Sequence, residues 1–460
     1  MDYQVIVIGA GPGGYVAAIR AAQLGLRVAL IEKCRVGGVC LNQGCIPTKT
    51  LAASAELYQQ IRRAREYGIA ITGAAVDWGQ IMVRKAAVVD RLVKGVEFLL
   101  KKNQVTVITG TAAFEAPHTL RVTTRTGEFQ TITGEKIIIA TGSTPVTFPS
   151  LGYNGKTVVT SEEALDRQAF PARIVIIGGG VIGCEFASIY RALGAEVTII
   201  ELLPQLLPQL EAELGKQLAL SLKKKGVQVH TGTKVTEVIS EGEASRVFLA
   251  DGTEIQTDLV LLSLGRRPNL VGLGLEKLGV ALSGQGRIMV DGHLGTNLPW
   301  LYAVGDLNDV PYDLAHVASA QGIVAAENIA GLERELDYQA VPNCIFTSPE
   351  IASVGLSVAE AKENGYQVKL GRFPMMANGK ALAMGESEGF ALIVAEEATD
   401  RVLGVHLMGP RVTDLIAEAA LAVRLGLTAQ DLARTIHAHP TLTETVMEAA
   451  EAILGSAIHI

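Results

Sequence analysis

Gly9-Ala10-Gly11-Pro12-Gly13-Gly14 is the key to the architecture, because the pattern returns as Gly178-Gly179-Gly180-Val181-Ile182-Gly183. Ahead of the first copy, Tyr3 to Ile8 reads as a buried strand; behind it, Tyr15 to Leu24 reads as a helix. Gly25-Leu26-Arg27 then leads into the strand Val28 to Ile31, closed by Glu32. Around the second copy, Arg173 to Ile177, a helix to Leu193, Gly194-Ala195-Glu196 and a strand from Val197 to Glu201 repeat the unit. Gly9 and Gly178, Gly25 and Gly194, and Glu32 and Glu201 are each 169 positions apart. One such loop is a weak signal. Two, each closed by an acid 23 residues after its first glycine, are a strong one.

The spacing has a physical meaning. The first glycine (Gly9, Gly178) makes the tight turn, and the second (Gly11, Gly180) lets backbone approach a pyrophosphate. The third (Gly14, Gly183) allows close packing of helix on strand, and the helix N-terminus offers N–H groups to the anion. The closing acids, Glu32 and Glu201, accept hydrogen bonds from a ribose diol. A carboxylate at 201 repels the 2′-phosphate of NADP, and Leu202 to Leu210 holds no Arg or Lys, so NAD is expected there. Two nicotinamide cofactors would leave the hydride no acceptor. FAD in one unit and NAD in the other is the expected pair.

Ile137-Ile138-Ile139-Ala140-Thr141-Gly142-Ser143 reads as a strand ending at a domain boundary, and Val260 to Gly265 echoes it before Arg266-Arg267-Pro268-Asn269. The first domain is therefore expected to be discontinuous: 1–145 with 265–337 for FAD, and 146–264 for NAD between them. From about Val341 the style changes to sheet (Val354-Gly355, Ala391 to Ala395, Val402 to Leu407), then to helix. Leu415, Ile416, Ala419, Ala420 and Val423 share one helical face. Residues 338–460 are expected to form an interface domain. The fold class is α/β: two Rossmann-like dinucleotide domains and a C-terminal α+β dimerisation domain.

The 460 residues suffice for several domains, and at 48% apolar they can build sizeable cores. The 40 basic and 47 acidic residues leave a charge of −7 with no basic run, which argues against nucleic acid. Aromatics are sparse. No apolar stretch is long enough to span a bilayer, and the longest charge-free piece, Ile137 to Gly155, is broken by Gly, Pro, Ser and Thr. Met1 stands almost directly before the first strand, with no signal or transit pattern. A cytoplasmic protein without membrane partners is expected.

Two of the five cysteines, Cys40 and Cys45, sit in Gly37-Gly38-Val39-Cys40-Leu41-Asn42-Gln43-Gly44-Cys45-Ile46-Pro47-Thr48-Lys49. A closed zinc site needs about four ligands, and no second Cys pair or His cluster accompanies these two, so no metal is expected. In a regular helix, residues five apart are about 8–9 Å apart at Cα, beyond the roughly 7 Å a disulfide allows. If the two bond, Asn42-Gln43-Gly44 must be irregular, with a regular helix starting close to Pro47. Cys45 would then lie near a helix N-terminus with Lys49 close by, an environment that favours a thiolate. Cys34, Cys184 and Cys344 stand alone and read as buried small hydrophobes.

Near the C-terminus, Thr435-Ile436-His437-Ala438-His439-Pro440-Thr441-Leu442-Thr443-Glu444 offers two histidines and a carboxylate. Thr441 and Glu444 fit a capping box ahead of Val446, Ala449, Ala450 and Ile453. Glu444 also stands five residues from His439, where it could orient an imidazole acting as base. The residues alone leave both readings open.

Taken together, these motifs closely resemble the dihydrolipoamide dehydrogenases, FAD enzymes with a redox disulfide among the pyridine nucleotide–disulfide oxidoreductases. The likeness runs end to end. Besides the stretches above it includes Ala140-Thr141-Gly142, Gly265 to Asn269, Thr296 to Asp306, Leu314-Ala315-His316, and Ser348-Pro349-Glu350 with Val354-Gly355. Val39 replaces the Thr of many relatives, although Val also occurs.

The resemblance implies roles. Glu32 would hold the adenosine ribose of FAD, Asp306 its ribitol chain, and Ala315 the neighbourhood of the ring, with Gly142 and Gly265 also lining the cofactors. Cys40 would exchange with substrate, and Cys45 would be the thiolate facing the flavin. Lys49, paired with Glu185, would lie near the flavin and the nicotinamide. His439, oriented by Glu444, would reach the disulfide of the other subunit of a homodimer. The implied activity is reoxidation of protein-bound dihydrolipoamide with NAD⁺, for a lipoyl-bearing acyltransferase core or a glycine-cleavage carrier protein. Met1 so close to the first strand implies no preceding lipoyl domain. The alternative is another FAD-dependent disulfide reductase. A glutathione reductase should carry basic residues near Glu201, and a mercuric reductase should end in a cysteine pair; neither feature is present.

Overall fold

Residues 1–460 are described by a computed structural model. The apolar run Tyr3–Ile8 forms a strand with parallel neighbours on both sides, Val28–Glu32 and the end of Phe129–Ile139. Such a strand is covered on both faces, which explains the unbroken Val/Ile composition. Val5, Ile6 and Val7 are fully buried, as are Leu30, Ile137 and Ile138. Each large side chain among these contributes roughly 1.5–3 kcal/mol by leaving water. Thr106–Thr109 extends the sheet beyond Val28–Glu32. On the far side, Leu301–Ala303 pairs in parallel with Ile137–Ile139, so the chain leaves this sheet at 139 and returns at 301. The other end of the long Phe129–Ile139 strand pairs antiparallel with Thr119–Thr123, which in turn pairs with Thr111–Ala116.

Between 139 and 301 a second parallel sheet has the order Gln228–His230, Glu196–Ile200, Arg173–Ile177, Leu259–Leu262, Val158–Val159. It carries its own antiparallel trio, Val235–Glu241, Ala244–Leu249 and Glu254–Thr257. The duplication seen in the glycine loops is thus a duplication of whole architecture. A short antiparallel ribbon, Ser143–Pro145 with Arg266–Pro268, links the two halves. From Asn343 onward a third, five-stranded antiparallel sheet forms, with Val412–Leu425, Ala429–Arg434 and Glu444–Ile453 as its helices. Val412, Ile416, Ala419 and Ala422 bury one helical face against that sheet.

Local expectations shift in three places. The helix after the first glycine loop spans Pro12–Gln23, starting three residues before Tyr15, because Pro12 suits the first helical position and lacks only a donor that is orphaned there anyway. Near Cys40 and Cys45, Gly38–Gln43 is helical, so Asn42 and Gln43 are regular and the break falls on Gly44 alone. The next helix, Cys45–Arg63, begins two residues before Pro47, which the first turn tolerates because its N–H groups have no intrahelical partner. No helix is long and apolar enough to cross a membrane.

Candidate active site

Both glycine loops end strands at the carboxyl edges of their parallel sheets, where crevices for ligands open. Gly9 and Gly178 have φ of 99° and 111°. A Cβ on Gly9 would stand 2.4 Å from Ala140 O, and one on Gly178 would stand 2.3 Å from Ser263 O. The third glycines pack inward: a Cβ on Gly14 or Gly183 would collide with the carbonyl of Gly9 or Gly178 at 1.8 and 2.0 Å. The second glycines face open space. Gly180 has nothing within 4 Å of a Cβ, and Gly11 meets only Gly38 Cα at 3.9 Å.

The closing acids use one geometry twice. Glu32 accepts hydrogen bonds from Ala10 N–H at 2.8 Å and Cys34 N–H at 2.9 Å. Glu201 accepts from Gly179 N–H at 2.6 Å and Leu203 N–H at 2.7 Å. Each carboxylate is pinned in its loop and keeps one further acceptor site per oxygen.

One cleft of 2640 Å³ joins the two loops. Its walls include Gly9, Gly11, Glu32, Gly142, Gly178, Gly180, Glu201, Gly265, Asp306 and Ala315, together with Cys40, Cys45, Lys49 and Glu185. A single small-molecule site occupies about 300–1,000 Å³, so this cleft has room for more than one extended cofactor. Open second glycines and pinned acids fit two dinucleotides.

Cys45 is the first residue of its helix, and Cys40 lies just across the Gly44 break; both are unbonded, half-buried thiols. A Cβ on Gly44 would press on Val39 O at 3.1 Å, so the close return of the chain needs glycine there. The hydrogen bond from Cys40, followed by the nearby Lys49 ammonium, outweighs burial and brings the Cys45 thiol down to about 7. The same hydrogen bond together with burial pushes Cys40 up. Lys49 Nζ contacts both oxygens of Glu185, at 3.0 and 2.9 Å, and Glu185 is almost fully buried. Asp306 accepts from Ser143 Oγ at 2.5 Å, and Arg266 donates to the same Ser143 oxygen at 2.7 Å. Burial raises the Asp306 carboxyl despite these donors.

The two C-terminal histidines separate. The His437 side chain is tucked in, with Nε2 2.9 Å from Glu418 and Nδ1 2.8 Å from Thr435 O, which satisfies both nitrogens internally. His439 is 78% exposed, with only Nδ1 engaged, 2.8 Å from Glu444. Neither His439 nor Glu444 lines the cleft with the cysteines. The expected Thr441 capping box is half formed. Thr441 N–H donates to Glu444 at 2.8 Å, but the helix is capped at Thr443, because the Thr441 hydroxyl turns back to Ala438 O. Against burial, the donors Thr441 and His439 hold the Glu444 carboxyl below its usual range.

Of the solitary cysteines, Cys184 is buried and Cys344 half-buried, but Cys34 is exposed, with Arg125 3.6 Å from its sulfur. The buried reading fails for Cys34 because it lies just past the end of a strand, where the chain turns outward. Local sequence patterns also carry no signal for Phe346, whose ring lies 4.5 Å from the Lys49 ammonium. Its partners are distant in the chain.

Comparison with known proteins matches residues 3–322 to the pyridine nucleotide-disulphide oxidoreductase model and residues 341–450 to the dimerisation domain of the same enzymes. The chain belongs to the pyridine nucleotide-disulphide oxidoreductases. A dihydrolipoyl dehydrogenase of Bacillus subtilis is 45% identical over all of this chain and 99% of its own. The mitochondrial dihydrolipoyl dehydrogenase of Pisum sativum is 40% identical over all of this chain and 93% of its own. Among solved structures, LpdA from Mycobacterium tuberculosis has a TM-score of 0.91 at 28% identity, covering 97% of this chain and 99% of that one. The HOCl-induced flavoprotein disulfide reductase RclA from Escherichia coli has a TM-score of 0.87 at 29% identity, covering 96% and 98%. This pyridine nucleotide-disulphide oxidoreductase is thus a flavoprotein enzyme working with FAD and NAD. Its dimerisation domain makes it a homodimer.

Proposed function

We propose that this chain reoxidises protein-bound dihydrolipoamide with NAD⁺ through a Cys40–Cys45 disulfide. One observation carries the reading: an acidified thiol at a helix N-terminus, its partner thiol across a glycine break, faces one cleft with two pinned dinucleotide loops. Bound in that cleft, FAD would carry the electron pair between the cysteine pair and a nicotinamide. The first loop with Glu32, Gly142, Asp306 and Ala315 would hold it, and the second loop with Glu201 and Gly265 would hold NAD.

His439 acts as the base. Nδ1 points at Glu444, so Nε2 is free to take the proton of a substrate thiol. The resulting thiolate attacks Cys40, and Cys45 leaves as the thiolate that its environment favours. The second substrate thiol then displaces Cys40, releasing cyclic disulfide and leaving both cysteines reduced: two electrons and two protons have passed to the protein. Lys49, held by Glu185, stands one helical turn from Cys45. His439 serves the disulfide of the other copy, so each site needs both subunits; its exposure and its place outside its own chain's cleft support this.

The partition that accompanies this reading is 1–145 with 265–337 for FAD, 146–264 for NAD and 338–460 for the interface; the return of Leu301–Ala303 to the first sheet supports it. The physiological partners are a lipoyl-bearing acyltransferase core or a glycine-cleavage carrier protein, and the expected compartment is the cytoplasm. The test is turnover of dihydrolipoamide with NAD⁺ and NADP⁺ in parallel. Rapid NAD⁺-dependent turnover is expected; a preference for NADP⁺, or no turnover of the dithiol, defeats the reading.

A further inference from the structure

The segment Phe346-Thr347-Ser348 follows the strand Asn343–Ile345, which pairs with Glu350–Gly355 in the dimerisation domain. Ile345 is fully buried in a core, and strand alternation turns Cys344 and Phe346 the other way, into the cleft wall. Phe346 meets the redox site twice. Its N–H donates to Glu185 Oε1 at 3.0 Å, and its ring face lies 4.5 Å from Lys49 Nζ. Ser348 N–H donates to Ser188 Oγ at 3.0 Å, one turn along the same helix as Glu185. Lys225 grips the Ser348 carbonyl, and the nearly buried Thr347 bonds Pro349 O at 2.6 Å. The segment is therefore fixed to the Val181–Leu193 helix at two points.

A lysine ammonium on its four-carbon stem does not hold one place unaided. Here the Glu185 carboxylate and an aromatic face both contact it, an arrangement that favours the cation. Lys49 is four residues after Cys45, so the two share a helix face one turn apart. We propose that Phe346 is a positioning residue for the redox centre: ring and backbone N–H together hold the Lys49–Glu185 pair against Cys45, tying the dimerisation domain to the thiolate. Lys49 is among the groups that favour the Cys45 thiolate, which agrees with this geometry. The proposal rests on the reading of Cys45 as the thiolate that faces the flavin.

The test uses FAD-loaded dimer in a Cys40→Ser background, where Cys45 is the sole redox thiol, and follows its long-wavelength thiolate–flavin absorbance against pH. Phe346→Leu removes the aromatic face but keeps the backbone N–H. It should move the midpoint upward by about half a pH unit, which near pH 7 halves the thiolate. Phe346→Tyr keeps the face and should titrate with the parent. Alkylation of Cys45, located by peptide mass, should shift in the same way. A Phe346→Leu midpoint equal to the parent's, at equal bound flavin, overturns the proposal, as does a Phe346→Tyr shift as large as the Leu shift. Absence of the band in the parent would instead refute the Cys45 assignment, and this proposal with it.

Discussion

Replacing Glu201 with Ala should remove most of the discrimination at the nicotinamide site. The carboxylate is nearly buried and accepts one backbone N–H per oxygen, at 2.6 and 2.7 Å. Of about four acceptor sites, two therefore remain for a ribose diol. Two charge-assisted hydrogen bonds at about 1.5–3 kcal/mol each, net of the water they displace, give about 3–6 kcal/mol. The lower end, about 3 kcal/mol, is two orders of magnitude in apparent affinity. The measurement is steady-state kinetics with saturating dihydrolipoamide and varied NAD⁺, with bound flavin quantified beforehand. Glu201→Ala should raise the KM for NAD⁺ about 100-fold. It should also narrow the preference over NADP⁺, because the repulsion of the 2′-phosphate is gone. Flavin content should stay unchanged. The twin position is the control: Glu32→Ala breaks the same geometry in the other loop and should release FAD. A KM within about threefold of wild type, or loss of flavin from the Glu201 variant, would refute the assignment of the two loops.

Three further outcomes are expected. Cys45→Ser should abolish lipoamide turnover while FAD stays bound, and near-normal activity would end the disulfide relay. His439→Gln should slow turnover by two or more orders of magnitude, and because the residue is 78% exposed, thermal unfolding should hardly move; a native rate would exclude it as the base. In the two-electron-reduced enzyme the Cys45 thiol is lowered to about 7, so the thiolate fraction should grow as pH rises and be largely lost by pH 5. A midpoint above pH 9 would show that neither Cys40 nor Lys49 acts on it.

The amino-acid sequence alone specifies what is local and periodic. Two strand–loop–helix units 169 residues apart, each closed by an acid, specify dinucleotide folds because glycine spacing and helix N-termini act within one short segment. Cys40, Gly44, Cys45 and Pro47 likewise lie within eight residues, so a bend between two thiols is legible from their spacing and residue types. The finer boundaries are not. Whether helix resumes at Cys45 or Pro47 turns on orphaned N–H groups that tolerate either.

Which distant groups meet is settled by packing of the folded chain. Tertiary structure sets Glu185 on Lys49 and Phe346 beneath it, joining three segments separated by more than a hundred residues. It tucks the His437 side chain against Glu418 and leaves His439 in the open, although the two are neighbours in the chain. It also brings Cys34 to the surface. Such outcomes depend on how sheets and helices pack across the whole chain, and no window of residues contains that information.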